Sequence, residues 1–406
     1  MWVEVRMRLS VPLLAVLVLL VGACAGDGTV ETTPTGEAAV SADVELGEPI
    51  ALGTGDPAGL VAGSGRVWVL TASMIEPEGE FESELTFVAQ VLGLDEATQE
   101  KLDDLELGEL SNFEVGGLGY AADRLWVSAN RQVSCAEGEC VWEGRVVAID
   151  PNTGEITHMI EVEGRPHLMG VGFGSVWVGG DRPQGGSGPS YEGNVRVDRI
   201  DPQTGAIVTS IPLHGDSLAG PKVSESGVWA TVSEETRSLE DTDYSIELPY
   251  DLVWINPNTN QPEKEWSINH LYPDTPYIYM PWAMEAAFGD VWLPIEAMDL
   301  PTEVVRVDRS GNTVTRFPLD QACVAMTGCL NHMWVIDASA WGVGSAHLKG
   351  IDPETNRVAV DLDLAYLADV TLPRGLVCGD QTLWVLGGSR PDETSPVELV
   401  LIPLVP

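Results

Sequence analysis

Lysine is nearly missing from this sequence: there are four in 406 residues, at Lys101, Lys222, Lys264 and Lys349. Arginine does not make up the deficit, because 21 basic residues face 62 acidic ones, for a net charge of −41. A surface so short of cations has no footprint for a phosphate backbone, which excludes nucleic acid as a partner. The acidity reads as the solvated surface of a salt-adapted protein or, more sharply, as a face that collects cations. Histidine is sparse as well. The six, at 158, 167, 214, 270, 332 and 347, show no ligand spacing, and the cysteines form no paired C-x-x-C, so no metal site is expected. No G-x-S-x-G elbow and no Walker loop occurs, so no catalytic residue is assigned and no cofactor is expected. Acidic pairs such as Glu234-Glu235 are ordinary in such a chain. Beyond the N-terminus, no apolar run is long enough to cross a membrane.

What the sequence does have is a repeat. Seven short apolar segments centre on Trp68, Trp126, Trp177, Trp229, Trp292, Trp334 and Trp384, spaced 58, 51, 52, 63, 42 and 50 residues apart. After most of them comes a turn of the form I-D-P-x-T-G, as in Ile149–Gly154 and Ile200–Gly205. Its first Asp or Asn can accept from backbone N–H groups two residues on, Pro presets φ, and Gly or Asn takes the left-handed position. These aspartates are therefore turn residues rather than catalytic candidates. A period near fifty residues built of short strands predicts an all-β, seven-bladed β-propeller with four-stranded antiparallel blades. In Val176-Trp177-Val178 both faces of the strand are apolar, as face-to-face packing of neighbouring blades requires. The last unit has room for only one strand after its Trp strand. Val44–Leu52, which has no Trp strand before it, is expected to complete that blade and close the ring.

The N-terminus is of another kind. Arg6 and Arg8 precede an apolar run, Val11–Val21, too short for a permanent span and suited to a secretion signal. It ends in Val21-Gly22-Ala23-Cys24, which resembles a bacterial lipobox. The resemblance implies a signal peptide over 1–23, lipidation of Cys24, and a cell-envelope location, anchored on the extracytoplasmic face of a bacterial membrane. Residues 25–42 are small, polar and acidic and cannot bury a core, so 24–42 reads as a lipidated cysteine with a flexible tether. The propeller then occupies 43–406.

The other cysteines suit an exported protein. Cys135 and Cys140 flank a tight Ala-Glu-Gly-Glu loop and are a candidate pair. Cys329 and Cys378 fall near equivalent positions of adjacent blades and are another, whereas Cys323 and Cys329 would lie too far apart on one straight strand.

The G-x-x-x-V-W-V strand followed by R-I-D-P-x-T-G resembles the bacterial seven-bladed propellers of the YVTN repeat type, over about residues 43–406. It is more distantly similar to streptogramin lyase and to propeller sensor domains of actinobacterial kinases. The lyase's strands typically read like G-P-D-G-x-x-W-F-T-E, and no blade here does, so its catalytic His and Glu are not carried over.

Propeller geometry puts the short A–B and C–D turns on one face and the D–A and B–C connections on the other. The B–C segments Thr71–Ser83, Ser128–Gly144, Gly179–Gly193, Val232–Pro249 and Gly387–Pro396 vary, and variable loops on a rigid scaffold are where recognition usually lives. Ten residues before each Trp, near the start of the inner strand, stand Ala58, Gly116, His167, Ala219, Trp282, Val324 and Arg374. Four are small or Val. His167, Trp282 and Arg374 are not, and a titratable, an aromatic and a cationic group around one axis suit a ligand site. The expected function is binding of a small molecule or an envelope protein by a monomer, through this channel mouth and the long-loop face. The alternative is a lyase or hydrolase working at the same mouth.

Overall fold

A computed structural model of the chain describes residues 45–75, 86–136, 139–181, 195–215, 217–238, 245–268, 278–279, 283–297, 301–338, 346–364, 372–388 and 398–405. Cys24 and the whole of 1–44 lie outside the described residues, as does Trp282. The strands form seven antiparallel sheets, six of them built by consecutive segments A to D. The first blade is Asp56–Gly63, Arg66–Ile75, Thr86–Asp95 and Leu105–Glu106. Blade two is Glu114–Ala121, Arg124–Ala136, Glu139–Ile149 and Ile156–Val162, and blade three is Arg165–Gly172, Ser175–Asp181, Val195–Ile200 and Ile207–Leu213. Blade four is Ser217–Ser224, Gly227–Ser238, Ser245–Asn256 and Gln261–Ser267. In blade five, Ile278–Tyr279 and Glu285–Ala287 make up strand A, followed by Asp290–Ala297, Glu303–Val307 and Thr313–Pro318. Blade six is Ala322–Cys329, His332–Ala338, Ala346–Asp352 and Arg357–Asp363. Blade seven takes Leu372–Cys378, Leu383–Gly388 and Glu398–Val405 from the C-terminal end, and its outer strand comes from Glu45–Leu46 and Ile50–Thr54. Successive A strands touch one another around a ring that returns from blade seven to blade one. The protein is a seven-bladed β-propeller.

The buried apolar side chains fall into seven clusters, one between each pair of neighbouring blades, and each holds one repeat tryptophan. All seven are at most 2% exposed. In four blades the indole Nε1 donates to a carbonyl five residues back, at Ala121, Gly172, Ala287 and Cys329, which ties strand B to the turn that precedes it.

The scarce cations join blades. Arg199 of blade three stacks 4.9 Å from the Trp177 ring centre and donates to Pro257 O and Asn260 Oδ1 in the C–D turn of blade four. Arg306 of blade five does the same over Trp292, reaching Pro353 O and Asn356 Oδ1 of blade six. Arg124 reaches Pro202 O and Arg66 reaches Asn152 Oδ1, again in the next blade. Each C–D turn is internally tied as its sequence predicts: Asp95, Asp150, Asp201, Asn256, Asp308 and Asp352 accept backbone N–H groups two or more residues on. Those N–H donors hold the carboxyls of Asp95, Asp201 and Asp352 below the usual carboxylate range.

Three B–C segments expected as loops are instead paired arms that prolong the sheet. Strands B and C of blade one pair out to Ile75 with Thr86, those of blade two, across a bulge between Gln132 and Ser134, to Ala136 with Glu139, and those of blade four to Ser238 with Ser245. In blade two the arm is fixed at its base: Glu143 pairs with Arg131 and Arg145, and both guanidiniums lie over Phe113. The register sets Cys135 opposite Cys140 near the tip. On the facing inner strands Cys329 and Cys378 are joined by a disulfide, with a Cα separation of 6.2 Å. Cys323 is buried and unpaired, and burial, with help from Glu296 and Asp337, pushes its thiol far above the ordinary range.

Candidate functional site

Five of the inner strands carry one residue out of register near their start. In blades one, two, three, six and seven the A–B pairing jumps between Pro57 and Gly59, Val115 and Gly117, Pro166 and Leu168, Cys323 and Ala325, and Pro373 and Gly375. The extra residues are Ala58, Gly116, His167, Val324 and Arg374. In these five blades the position counted back from the tryptophan is thus a β-bulge, a device that re-aims a side chain and recurs beside functional sites. Blade four departs from the count. Its pairing jumps from Ala219 to Lys222, so the unpaired residues are Gly220 and Pro221, which are joined by a cis peptide bond, and not Ala219. The count cannot see this, because Pro221 has no N–H for the ladder and shifts the bulge one step along.

Of the three proposed mouth residues, His167 is described in full. Its Nδ1 lies 2.7 Å from the Arg165 carbonyl oxygen, which can only accept, so the proton sits on Nδ1. The bare backbone of blade two abuts it: a Cβ on Gly116 would come 2.7 Å from His167 Cα. Arg374 has its backbone at the blade-seven bulge, but its side chain lies outside the described residues. Strands B of blades two and four bring Ser128 Oγ, Asn130 Oδ1, Thr231 Oγ1 and Ser233 Oγ into the interior with no hydrogen-bond partner among the described residues. Ser128 is close to the bulge, since a Cβ on Gly117 would meet both its Oγ, at 2.9 Å, and the His167 carbonyl, at 3.3 Å. On strand B of blade five, burial pushes the Glu296 carboxyl up. Among the described residues no three His, Cys, Asp or Glu side chains group as a metal site.

The opposite end of the inner strands, where the sequence predicts only short A–B turns, carries a further feature. A pocket of about 480 Å³ opens among the A–B turns of blades three, four and five, walled by Val171, Phe173, Val223, Ala287 and Phe288, with Glu225 at its rim. A signal for it stands in the aligned copies. Where the A–B turn reads Gly63-Ser64-Gly65 in blade one and Ala121-Ala122-Asp123 in blade two, blades three and five place Phe173 and Phe288.

The chain matches no protein-family model and no curated protein. Among solved structures it is similar to the β-propeller domain of the Trilobed protease from Pyrococcus furiosus, with 10% identity and a TM-score of 0.49, covering 86% of this chain and 95% of that one. It is also similar to the Neurospora crassa Pan2 WD40 domain, with 9% identity, a TM-score of 0.46 and coverage of 86% and 89%. A third is the quinohemoprotein alcohol dehydrogenase from Comamonas testosteroni, with 11% identity, a TM-score of 0.48 and coverage of 89% and 76%. Such likenesses carry no function across. Blade number and closure stand on the strand pairing alone.

Proposed function

We propose that this chain is a lipid-anchored propeller on the extracytoplasmic face of a bacterial cell membrane that binds a small anionic or mixed-charge molecule at its axial mouth. The observation that carries the binding half is the set of five matching bulges, with His167 and Arg374 at two of them. A rigid scaffold that repeats one local distortion at the start of its inner strands is a frame for aiming side chains at a common ligand. In this frame Arg374 clamps a carboxylate through its planar fork, Trp282 stacks on a flat body, and His167 supplies a hydrogen bond. In a protein of net charge −41, a cationic mouth selects its ligand by contrast with the surrounding surface.

The test is titration of the full chain with small aromatic carboxylates such as benzoate, nicotinate and indole-3-acetate. Saturable binding is expected, weakened about tenfold or more by Arg374→Gln, the loss of one charge-assisted contact. Binding of equal strength in Arg374→Gln and His167→Ala, or no saturable binding to any of the acids, removes the mouth as the site.

The anchoring half rests on the run Val11–Val21 and the small-residue step into Cys24. Cys24→Ala is expected to move the protein from the detergent-rich to the aqueous phase on detergent partitioning, with its melting temperature unchanged. Retention in the detergent phase would show that Cys24 carries no lipid.

A further inference from the structure

The pocket at the A–B turns has its own chemistry, independent of the bulged mouth. In a two-residue hairpin loop both central residues take positive φ, a conformation suited to Asn, Gly or Asp. Gly172 and Ser175 close such a loop around Phe173 (φ 51°) and Gly174 (φ 64°), and Ala287 and Asp290 close another around Phe288 (φ 56°) and Gly289 (φ 80°). A bulky side chain at positive φ is a backbone outlier that persists only where its surroundings over-determine it. They do so here. Arg199 donates to the Phe173 carbonyl and to Ser175 Oγ, and the Trp177 indole donates to Gly172 O. The Trp292 indole donates to Ala287 O, while Arg306 holds Asp290 at 2.6 Å.

The strain leaves an aromatic group in water: Phe173 is 41% exposed, and Val171 beside it 37%. Burial in the fold does not account for that placement. Between the two turns, blade four contributes Glu225, an exposed carboxylate with no hydrogen bond or ion pair among the described residues. A Cβ placed on Gly289 would lie 3.8 Å from its Oε1, so the carboxylate stands next to the Phe288 turn. Among the described residues the pocket wall holds no cationic side chain.

We infer that this pocket binds an organic cation: a primary or quaternary ammonium on an apolar body. Two aromatic rings and one carboxylate around a hollow of mixed polar and apolar lining attract a positive head through ring quadrupole and charge together, while the alkyl or aryl body covers Val171 and Val223. An anion is repelled by Glu225. A neutral apolar ligand leaves that carboxylate partly desolvated without a partner. The volume is within the range of small-molecule sites.

The experiment is equilibrium titration of the full chain at 0.15 M NaCl with benzyltrimethylammonium, benzyl alcohol and phenylacetate. One saturable site is expected for the cation, at least about fivefold weaker binding for the alcohol, and none for the acid. Glu225→Gln is expected to weaken the cation about fivefold. Phe173→Gly should do the same or more while keeping or raising the melting temperature, because glycine adopts that φ without strain. The second variant separates loss of the site from loss of the fold. Equal binding of alcohol and cation, or cation binding unchanged in both variants, overturns the inference. So does an equal loss in Glu265→Gln, on the exposed outer strand of blade four, since that would reveal a diffuse counterion atmosphere. Concentration-dependent self-association abolished by Phe173→Gly would also overturn it, by assigning the aromatic turns to a contact between copies.

Discussion

Deletion of residues 45–54 is expected to destabilise the whole propeller by about 5 kcal/mol, lowering its melting temperature by roughly 7 °C. These residues are the outer strand of blade seven: Glu45 and Leu46 pair with Val405 and Leu404, and Ile50 and Ala51 with Leu401 and Val400. Leu52 is 1% exposed and lies in the cluster between blades seven and one, among Leu92, Leu94, Trp384, Leu399 and Leu401. Ile50 and Leu46 pack at the margins of that cluster and of the one between blades six and seven. Fully burying one such side chain is worth about 1.5–3 kcal/mol, so three, two of them partial, give the figure above. The unpaired edge of Glu398–Val405 would add an aggregation route. Deletion of 25–42, outside the described residues, serves as the control and should leave the transition where it is. If both deletions melt with the parent, the N-terminal strand does not close the ring.

This closure was readable because Pro49-Ile50-Ala51-Leu52 looks like the outer strand of another blade, and because the last unit ran out of chain one strand early. The blades were readable for a similar reason. Trp177 between two valines has no solvent side, so its strand had to be covered on both faces, and only a neighbouring blade does that. The D-P-x-T-G turns were legible because their chemistry is local: Asp201 accepts from Gln203 and Thr204 whatever the rest of the chain does. The mouth residues were legible as a register and no further. That the register marks bulges is a property of pairing between strands, which a count along one strand does not contain. Phe173 and Phe288 were hidden for the opposite reason. Their turns look stereotyped, and the anomaly lies in which side chain occupies a left-handed position. Arg131, in the long B–C segment of blade two, is tied to Glu143 and stacked on Phe113, an arrangement set by arm pairing that no motif announces.

Nor did any motif announce the buried ion pair of blade six, where the second large effect is expected. Asp337, 1% exposed on strand B, accepts the backbone N–H groups of Asp320 and Gln321 at 2.9 and 2.8 Å, fastening the connection from blade five. Lys349, one of the four lysines, lies across from it with Nζ 2.6 Å from Asp337 Oδ2 and 3.1 Å from Asp320 Oδ2. Burial depresses the lysine's pKa, but the hydrogen bonds and charges of Asp337 and Asp320 outweigh burial and hold it above the ordinary value. Asp337→Ala removes the anion and the acceptor of two backbone donors together. Asp320, mostly exposed, is a poor substitute because water screens it. The expected cost is about 3–5 kcal/mol, the range for a buried charge that loses its partner. Lys349→Met leaves Asp337 its two N–H donors and should cost less. The double variant Asp337→Asn, Lys349→Met should cost less than the sum of its singles, because it buries no unpaired charge. A lysine whose folded pKa is raised contributes stability below its unfolded value, and that contribution is lost as pH rises through the folded one. The parent should therefore lose stability above about pH 10.4 more steeply than Lys349→Met. Denaturant titrations at neutral pH and at alkaline pH read both effects. An Asp337→Ala cost below about 1 kcal/mol, the worth of an exposed pair, would mean that water reaches Lys349 and that the connection between blades five and six is held by other contacts.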